Sequence, residues 1–468
     1  MSESTADLGA TELLLGFSGG ELSPVQVVLE VLERIGQRDS AVNAFCEVHA
    51  DQALAAAAES ESRWKAGTPR GPLEGVPISV KDTLPVTGWS TGRGSLVAAS
   101  GPAATDALPV ARVRAAGAVL LGSTTSPELS WKGVTDSPRT GSTTNPWDPS
   151  LTAGGSSGGS AAAVGLGMGP LSLGTDAGGS VRIPAAFTGT VAHKPTWGHV
   201  PHHSASPFST LAQVGAMGRT VADVALLHDV IAQPDPLDPW SVPGPRASVR
   251  APVNRDGLVG SRIAWSPDLG HADVDPEIAE IFADAVAVFG ALGATVERAD
   301  PGLSDPYEII TTLWSTAAAA ALRPFDAAAR AHMDPGLVAI AERGERVHAL
   351  DLQEALMRRH ALGTATAAFH REYDLLITPT LPITAFTGGL EVPEGHARSD
   401  WLSWATFTFP FNLTGQPAVS VPCGFTAAGL PVGLQIVGPQ HSDPAVLTAA
   451  QAFQNSTSHH THRPPLAG

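Results

Sequence analysis

Two cysteines in 468 residues, Cys46 and Cys423, allow at most one bridge, too few for a disulfide framework. They read as small buried thiols in a reducing compartment. Basic residues are also scarce, with 28 Lys and Arg against 45 Asp and Glu, a formal charge of −17. A phosphate-binding surface needs clustered Lys and Arg, so nucleic acid is excluded as the main ligand. No basic leader precedes an apolar segment: MSESTADLGATELLLGFSGG has no basic n-region, and LLLGF is shorter than a signal-peptide core. Residues 149–175 and 401–442 lack formal charge. The first is dominated by Gly, Ser and Ala, and the second is broken by Pro, Gly, Asn and Gln. Neither has the continuous bulky apolar content of a membrane span. The expectation is a cytoplasmic protein that meets neither membrane nor nucleic acid.

What is present points to a large core, since 43% of residues are hydrophobic and 16% charged. Ser23 caps a helix with Pro24 at its first position, and Val27, Val28, Val31, Leu32 and Ile35 form one apolar stripe. An alanine-rich helix follows over 51–65 and stops at Gly67. GVPISVKD (75–82) reads as a buried strand with Lys81 at its end. Asp106 opens a further helix through Arg114, AVLLG (118–122) is a strand, and Thr220 caps a helix through Ile231. SRIAWS (261–266), ATVERA (294–299), YDLLITP (373–379), AVSVPCGF and LPVGLQIVG are strand-like. Helices open at Asp275-Pro276, around Leu352–Phe369 and at Asp443. Apolar strands alternating with helices predict an α/β sheet covered on both faces. Residues 1–66 are expected to be N-terminal helices packed on the core, and 67–468 the catalytic domain. Loop or subdomain excursions are placed around 235–260 and 385–402. No internal repeat appears. The terminal SHHTHRPPLAG reads as a frayed tail, its three histidines not a metal site.

The chemistry concentrates in residues 154–196, GGSSGGSAAAVGLGMGPLSLGTDAGGSVRIPAAFTGTVAHKPT. Glycine at this density belongs where backbone turns sharply or approaches a ligand closely. The phosphate-cradling patterns G-x-x-x-x-G-K-[ST] and strand-flanked G-x-G-x-x-G are absent. G-x-S-x-G occurs in two registers, on Ser156 and Ser157, but DPSLTA precedes it where a nucleophile elbow needs an apolar strand. Taken singly, Lys81 is a lysine closing a strand, Ser156 a helix cap and Ser180 a turn serine.

Together, GVPISVKD, NPWD followed by GGSSGGS, and GTDAGGSVRIPAAFTGTV followed by KPT resemble the amidase signature family. PELSWKGVTDSP, VGAMGRTVADVALL, YDLLITPTLP and NLTGQPAVSVPCG extend the likeness over roughly residues 20–455. The resemblance implies a central mixed β-sheet covered by helices, and hydrolysis of amides through a Ser-Ser-Lys relay. Carried over residue by residue, the relay lysine falls on Lys81, the bridging serine on Ser156 and the nucleophile on Ser180. A cis peptide is implied before Ser156, with Ser157, Asp176 and Arg182 as supporting residues.

The chemistry is coherent on its own terms. A serine hydroxyl needs a base within hydrogen-bond reach to take its proton. Lysine serves only when neutral, and burial is what lowers its pKa. Ser156 would pass the proton from Ser180 to Lys81, and the reverse path protonates the leaving amine. Backbone N–H groups of Ala177, Gly178, Gly179 and Ser180 are expected to converge on the oxyanion. No cofactor and no metal are required; the partner is a small-molecule amide, and a homodimer is the default assembly.

One branch of the family, the A subunit of glutamyl-tRNA amidotransferase, hydrolyses glutamine and passes ammonia to a partner. Its glutamine-holding aspartate would stand seven residues before Asn412, where this chain has Ala405. A second acidic position of that branch is Ala212. Both departures point to the stand-alone bacterial amidases. The competing classes are an ammonia-supplying component of a larger complex, marked by activity only with a partner, and an inactive binding member, which the intact Lys-Ser-Ser set opposes. His202, His203, Phe208, Trp401 and Trp404 are candidates for the acyl pocket.

Overall fold

The run Val76–Val80 is apolar at almost every position, and such a segment is stable as a strand only when covered on both sides. In the computed structural model it is a central strand of an eleven-stranded mixed sheet. The structure describes residues 4–98, 100–202, 206–244, 248–249, 258–303 and 306–467.

In chain order the sheet strands are β1 (Phe45–Val48), β2 (Pro77–Lys81), β3 (Val119–Thr124), β4 (Leu171–Asp176), β5 (Val191–Lys194) and β6 (Gln213–Gly218). They continue as β7 (Arg262–Trp265), β8 (Thr295–Arg298), β9 (Leu375–Pro379), β10 (Ala418–Phe425) and β11 (Pro431–Val437). Their spatial order is β1-β3-β2-β4-β6-β5-β10-β11-β9-β7-β8. β2 runs parallel to both neighbours, β3 and β4. The pairings from β4 through β9 are antiparallel, and β9, β7 and β8 are again parallel. Every residue of β2, β3, β6, β9 and β11 is buried, whereas the edge strands β1 and β8 are partly open.

The period-2 alternation of strands divides the core. Val191 and Ala216 face one layer, built with Val224, Leu227, Phe282, Phe289 and Phe453 from the helices Val221–Ile231, Pro276–Ala291 and Asp443–Ser456. Ala192 and Met217 face the other, against Ala161, Val181 and Ala185. On that side the short helices Gly158–Gly165 and Arg182–Thr188 are buried at every position, which small side chains permit by letting helix backbone approach the sheet.

Ser23 accepts from Gln26 N–H to cap Pro24–Val42, and Thr220 accepts from Asp223 N–H to cap Val221–Ile231. The helix placed at Asp106 begins at Leu108 instead, because the Asp106 carboxylate is engaged by Thr87 N–H and Arg114. Residues 4–66 contribute helices and also β1, which pairs antiparallel with β3 at the sheet edge. Several helices, Tyr307–Leu322, Pro335–Glu345 and Ala327–Arg330 among them, have no counterpart in the sequence reading. The first is buried on most of its circumference, so its apolar period is faint.

Of the excursion around 235–260, the described part leaves Leu237 and Trp240 exposed. The segment before Trp401 is fastened to the helix at Tyr307, whose hydroxyl donates to Asp400 and whose ring lies 4.0 Å under the Arg398 guanidinium. The C-terminal segment is not frayed. His459 stacks on Phe453, His462 packs on Phe425, and Leu466 adds to the N-terminal apolar cluster. No helix among the described residues is long and apolar enough to cross a membrane.

Candidate active site

β2 delivers Lys81 to the C-terminal end of the sheet with its side chain fully enclosed. Its Nζ donates to Ser156 Oγ at 2.6 Å and to Thr175 Oγ1 at 2.8 Å. Burial pushes the Lys81 amine down to about 7, and the nearby Asp176 charge offsets only part of that effect. A second enclosed lysine, Lys194, is also pushed to about 7, by burial first and then by Arg182. Among the described residues its Nζ makes one hydrogen bond, to the Pro195 carbonyl at 2.9 Å. Geometry, not pKa, separates the two, because only Lys81 touches a serine hydroxyl.

Ser156 follows a cis Gly155–Ser156 peptide, as the resemblance implies. Ser157 joins this loop to β4: its Oγ donates to Thr175 O at 3.2 Å and accepts from Thr175 N–H at 3.3 Å. Ser157 N–H also donates to Ser180 O at 3.0 Å, bringing the two serine-bearing loops side by side. Among the described residues no hydrogen bond joins the hydroxyls of Ser156 and Ser180.

Ser180 sits in the turn between β4 and the helix Arg182–Thr188. Asp176 organises that turn, accepting from Gly179 N–H at 2.8 Å, Val181 N–H at 3.3 Å and Arg182 Nε at 2.9 Å. Arg182 in turn donates to Thr408 O, Gln435 Oε1 and Asn412 Oδ1. Asn412 Nδ2 returns to Asp176 Oδ1 at 2.9 Å. Burial alone would raise the Asp176 carboxyl, but Arg182, Lys194 and Asn412 together hold it well below the usual range. Asp176 and Arg182 are both wholly buried.

One expectation is corrected here. Gly179 N–H is committed to Asp176, so it does not join the converging donors. The N–H groups of Ala177, Gly178 and Ser180 make no such bond among the described residues. Thr408 closes the turn from behind, its hydroxyl donating to Gly178 O at 2.7 Å.

Thr175, Thr408, Asn412 and Gln435 are site residues that the sequence reading did not single out. Thr175 lies inside GTDAGGS and Asn412 inside NLTGQP, so both strings carried a signal. Thr408 and Gln435 have none, because only the folded sheet brings them to Arg182 and Gly178. Of the pocket candidates, Trp401 and Trp404 are fully buried. His202 lines an outer cavity of about 510 Å³ with Trp197 and Trp240. Phe208 is half-buried against Trp314, and His203 lies outside the described residues.

Among the described residues, His193, His228 and Asp443 form a buried group whose candidate ligand atoms lie within 4.8 Å of one another. Both Asp443 oxygens are already engaged, by His193, His199 and Thr196, and this network ties β5 to the last helix.

Comparison with known proteins shows the family. The family model described as Amidase matches residues 26–447. The chain is 38% identical to an acylamidase of Rhodococcus erythropolis over 454 residues, covering 96% of this chain and 95% of that protein. It is also 38% identical to the A subunit of the glutamyl-tRNA(Gln) amidotransferase of Symbiobacterium thermophilum, covering 98% and 99%. Among solved structures, a bacterial aryl acylamidase of the amidase signature family superposes with a TM-score of 0.89 at 29% identity, covering 97% of this chain and 96% of that one. A 6-aminohexanoate cyclic dimer hydrolase superposes with a TM-score of 0.87 at 26% identity, covering 98% and 99%.

Proposed function

The chain belongs to the amidase signature family of amide hydrolases, and from that premise we propose that it cleaves a carboxamide to a carboxylate and ammonia or amine through an acyl-enzyme on Ser180. The observation that carries the reading is the 2.6 Å contact between Lys81 Nζ and Ser156 Oγ, made by an enclosed lysine whose pKa lies near 7. Neutral Lys81 takes the Ser156 proton as Ser156 takes that of Ser180, and Ser180 Oγ attacks the amide carbon. Hydrogen bonds of this kind are often long before substrate arrives and tighten in the complex. Three N–H groups, of Ala177, Gly178 and Ser180, are the oxyanion donors in this scheme. As the C–N bond breaks, the proton returns along the relay to the leaving nitrogen. Water then attacks the ester, giving its proton to the relay, which returns it to Ser180 Oγ as the C–Oγ bond breaks and the carboxylate departs. The reading includes a cytoplasmic setting, with which the two unpaired cysteines accord.

The test is ammonia release from a panel of aliphatic and aromatic carboxamides by the purified chain, with Ser180→Ala alongside. Activity in the wild type and near-complete loss in the variant, with fluorophosphonate labelling of the wild type only, support the assignment. Equal activity in both proteins overturns it.

A further inference from the structure

The oxyanion turn is roofed by indole rings. A methyl group placed on Gly178 would meet Trp401 Cη2 at 2.8 Å and Trp314 Cζ3 at 3.7 Å. Trp401 and Trp314 meet edge to face at 5.2 Å, and the Trp314 indole is fixed by donating to Trp131 O at 2.9 Å. Both rings are almost wholly enclosed, so they shape the site from behind. Phe208 differs. It is half-buried, its ring centroid stands 4.6 Å from that of Trp314, and it packs on the same apolar cluster as the half-buried Ala177 beside the nucleophile. Its chain neighbours Ser206, Pro207 and Ser209 line the outer cavity, whereas Phe208 turns inward.

The carboxylates along this wall are engaged: Glu391 accepts from Trp401 N–H at 3.2 Å, and Asp400 accepts from the Tyr307 hydroxyl. Ala405 is fully buried in the cluster, and Ala212 stands beside Leu211 with no acid at either position. Lys132 is held by Asp136 at 2.8 Å and Asp334 at 2.7 Å. An amino acid's ammonium would find no acid at Ala405 or Ala212, and desolvating it unpaired is unfavourable. A flat apolar ring would find offset and edge-on aromatic partners.

Resting on the hydrolase reading above, we propose that the acyl side of the site is an aromatic slot in which Phe208 determines specificity. Its substrates are amides of ring-bearing apolar acids, not amides of amino acids or of short aliphatic acids.

The test uses the full chain and three amides, 3-phenylpropanamide, butanamide and L-glutamine, with kcat/KM read from ammonia release. The wild type prefers 3-phenylpropanamide over butanamide at least tenfold and leaves glutamine last. Phe208→Ala lowers that ratio by about tenfold, mainly through KM, since a lost apolar contact weakens ground state and transition state alike. Phe208→Leu, which keeps apolar bulk and guards against a folding defect, recovers part of the ratio. An unchanged ratio in Phe208→Ala, or glutamine as the preferred substrate, overturns the slot while leaving the hydrolase reading intact. Hydrolysis of none of the three, in the panel that includes Ser180→Ala, overturns the hydrolase reading and the slot with it.

Discussion

Lys81 Nζ lies 2.6 Å from Ser156 Oγ at the buried end of β2, and among the described residues no carboxylate forms an ion pair with it. The amine is thereby poised near neutrality, where it can accept a proton from a hydroxyl and return it. A lysine paired to an acid would stay charged through the physiological range and serve neither purpose.

The pH profile follows from that contact. The relay requires neutral Lys81, whose pKa is pushed down to about 7, so kcat/KM should rise with unit slope through about pH 7 and then level. Lys81→Met should lower kcat/KM by roughly 10²–10⁴-fold, the usual contribution of a positioned acid–base group. A profile with no inflection between pH 6 and 8 would remove Lys81 from the base role.

The same shift sets a stability trend. Between about 7 and the ordinary 10.5, the unfolded chain keeps Lys81 protonated while the folded chain holds it neutral. The unfolded state then binds more protons, so stability rises with pH across that window. Below about 7 the folded state carries an enclosed ammonium and the gain is lost. Lys194 shares the direction and the window. Urea midpoints measured at pH 6 and pH 9 should increase, and Lys81→Met should flatten part of the increase.

Arg182 and Asp176 answer a different question, that of turn rigidity. Arg182→Met leaves a wholly buried carboxylate without its main cation, which typically costs about 3–5 kcal/mol. Because the Asp176 pKa is depressed, its contribution is fully present above the ordinary 3.8 and lost only as pH falls further. The destabilisation should therefore appear undiminished in urea titrations at pH 7. Asn412→Ala removes hydrogen bonds to both partners and should cost about 1–3 kcal/mol.

Much of this arrangement was legible before folding, for physical reasons that differ by residue. β2, β10 and β11 are continuous apolar runs, and Ser23 and Thr220 are caps with a clear chemical signature. Lys81, Ser156 and Ser180 sit in strings whose glycine density has no cheaper explanation than close backbone approach. What sequence could not supply was the direction of each N–H. Four converging donors were expected around Ser180, and Gly179 proves to serve Asp176. Nor could spacing place Thr408 or Gln435 beside a turn more than two hundred residues away. Trp401 and Trp404 are enclosed in the apolar cluster, Trp401 against Gly178, while half-buried Phe208 remains at the surface of the cluster.

Thr175 gives a test of positioning separate from Lys81, Ser156 and Ser180. Its hydroxyl accepts from Lys81 Nζ at 2.8 Å, an interaction that favours the charged amine. Thr175→Val removes the acceptor at nearly constant volume. The midpoint of the pH profile should move below about 7, and kcat should fall about tenfold as the amine loses one of its two anchors. A purely structural threonine would lower stability and leave the midpoint where it was.

Gly178 and Gly179 are adjacent, yet they should respond unequally to alanine. Gly179 has φ +128, a conformation that L side chains rarely adopt, and a Cβ there would run into the Thr408 side chain. Thr408 cannot retreat without releasing the Gly178 carbonyl, to which it donates at 2.7 Å. Backbone strain at such a position costs about 1–3 kcal/mol, and relaxing it would swing Gly179 N–H away from Asp176 and move Ser180. At Gly178 the obstruction is instead the edge of the Trp401 ring, 2.8 Å from the new Cβ, and no positive φ adds strain. Gly179→Ala should therefore lose about a hundredfold or more in kcat/KM, since small misplacement of a nucleophile carries that penalty. Gly178→Ala should lose less and shift the thermal midpoint mainly through the displaced ring. Comparing both variants by ammonia release and thermal unfolding decides the point: equal losses would mean that the turn is held by packing against Trp401, not by the Asp176 hydrogen bond.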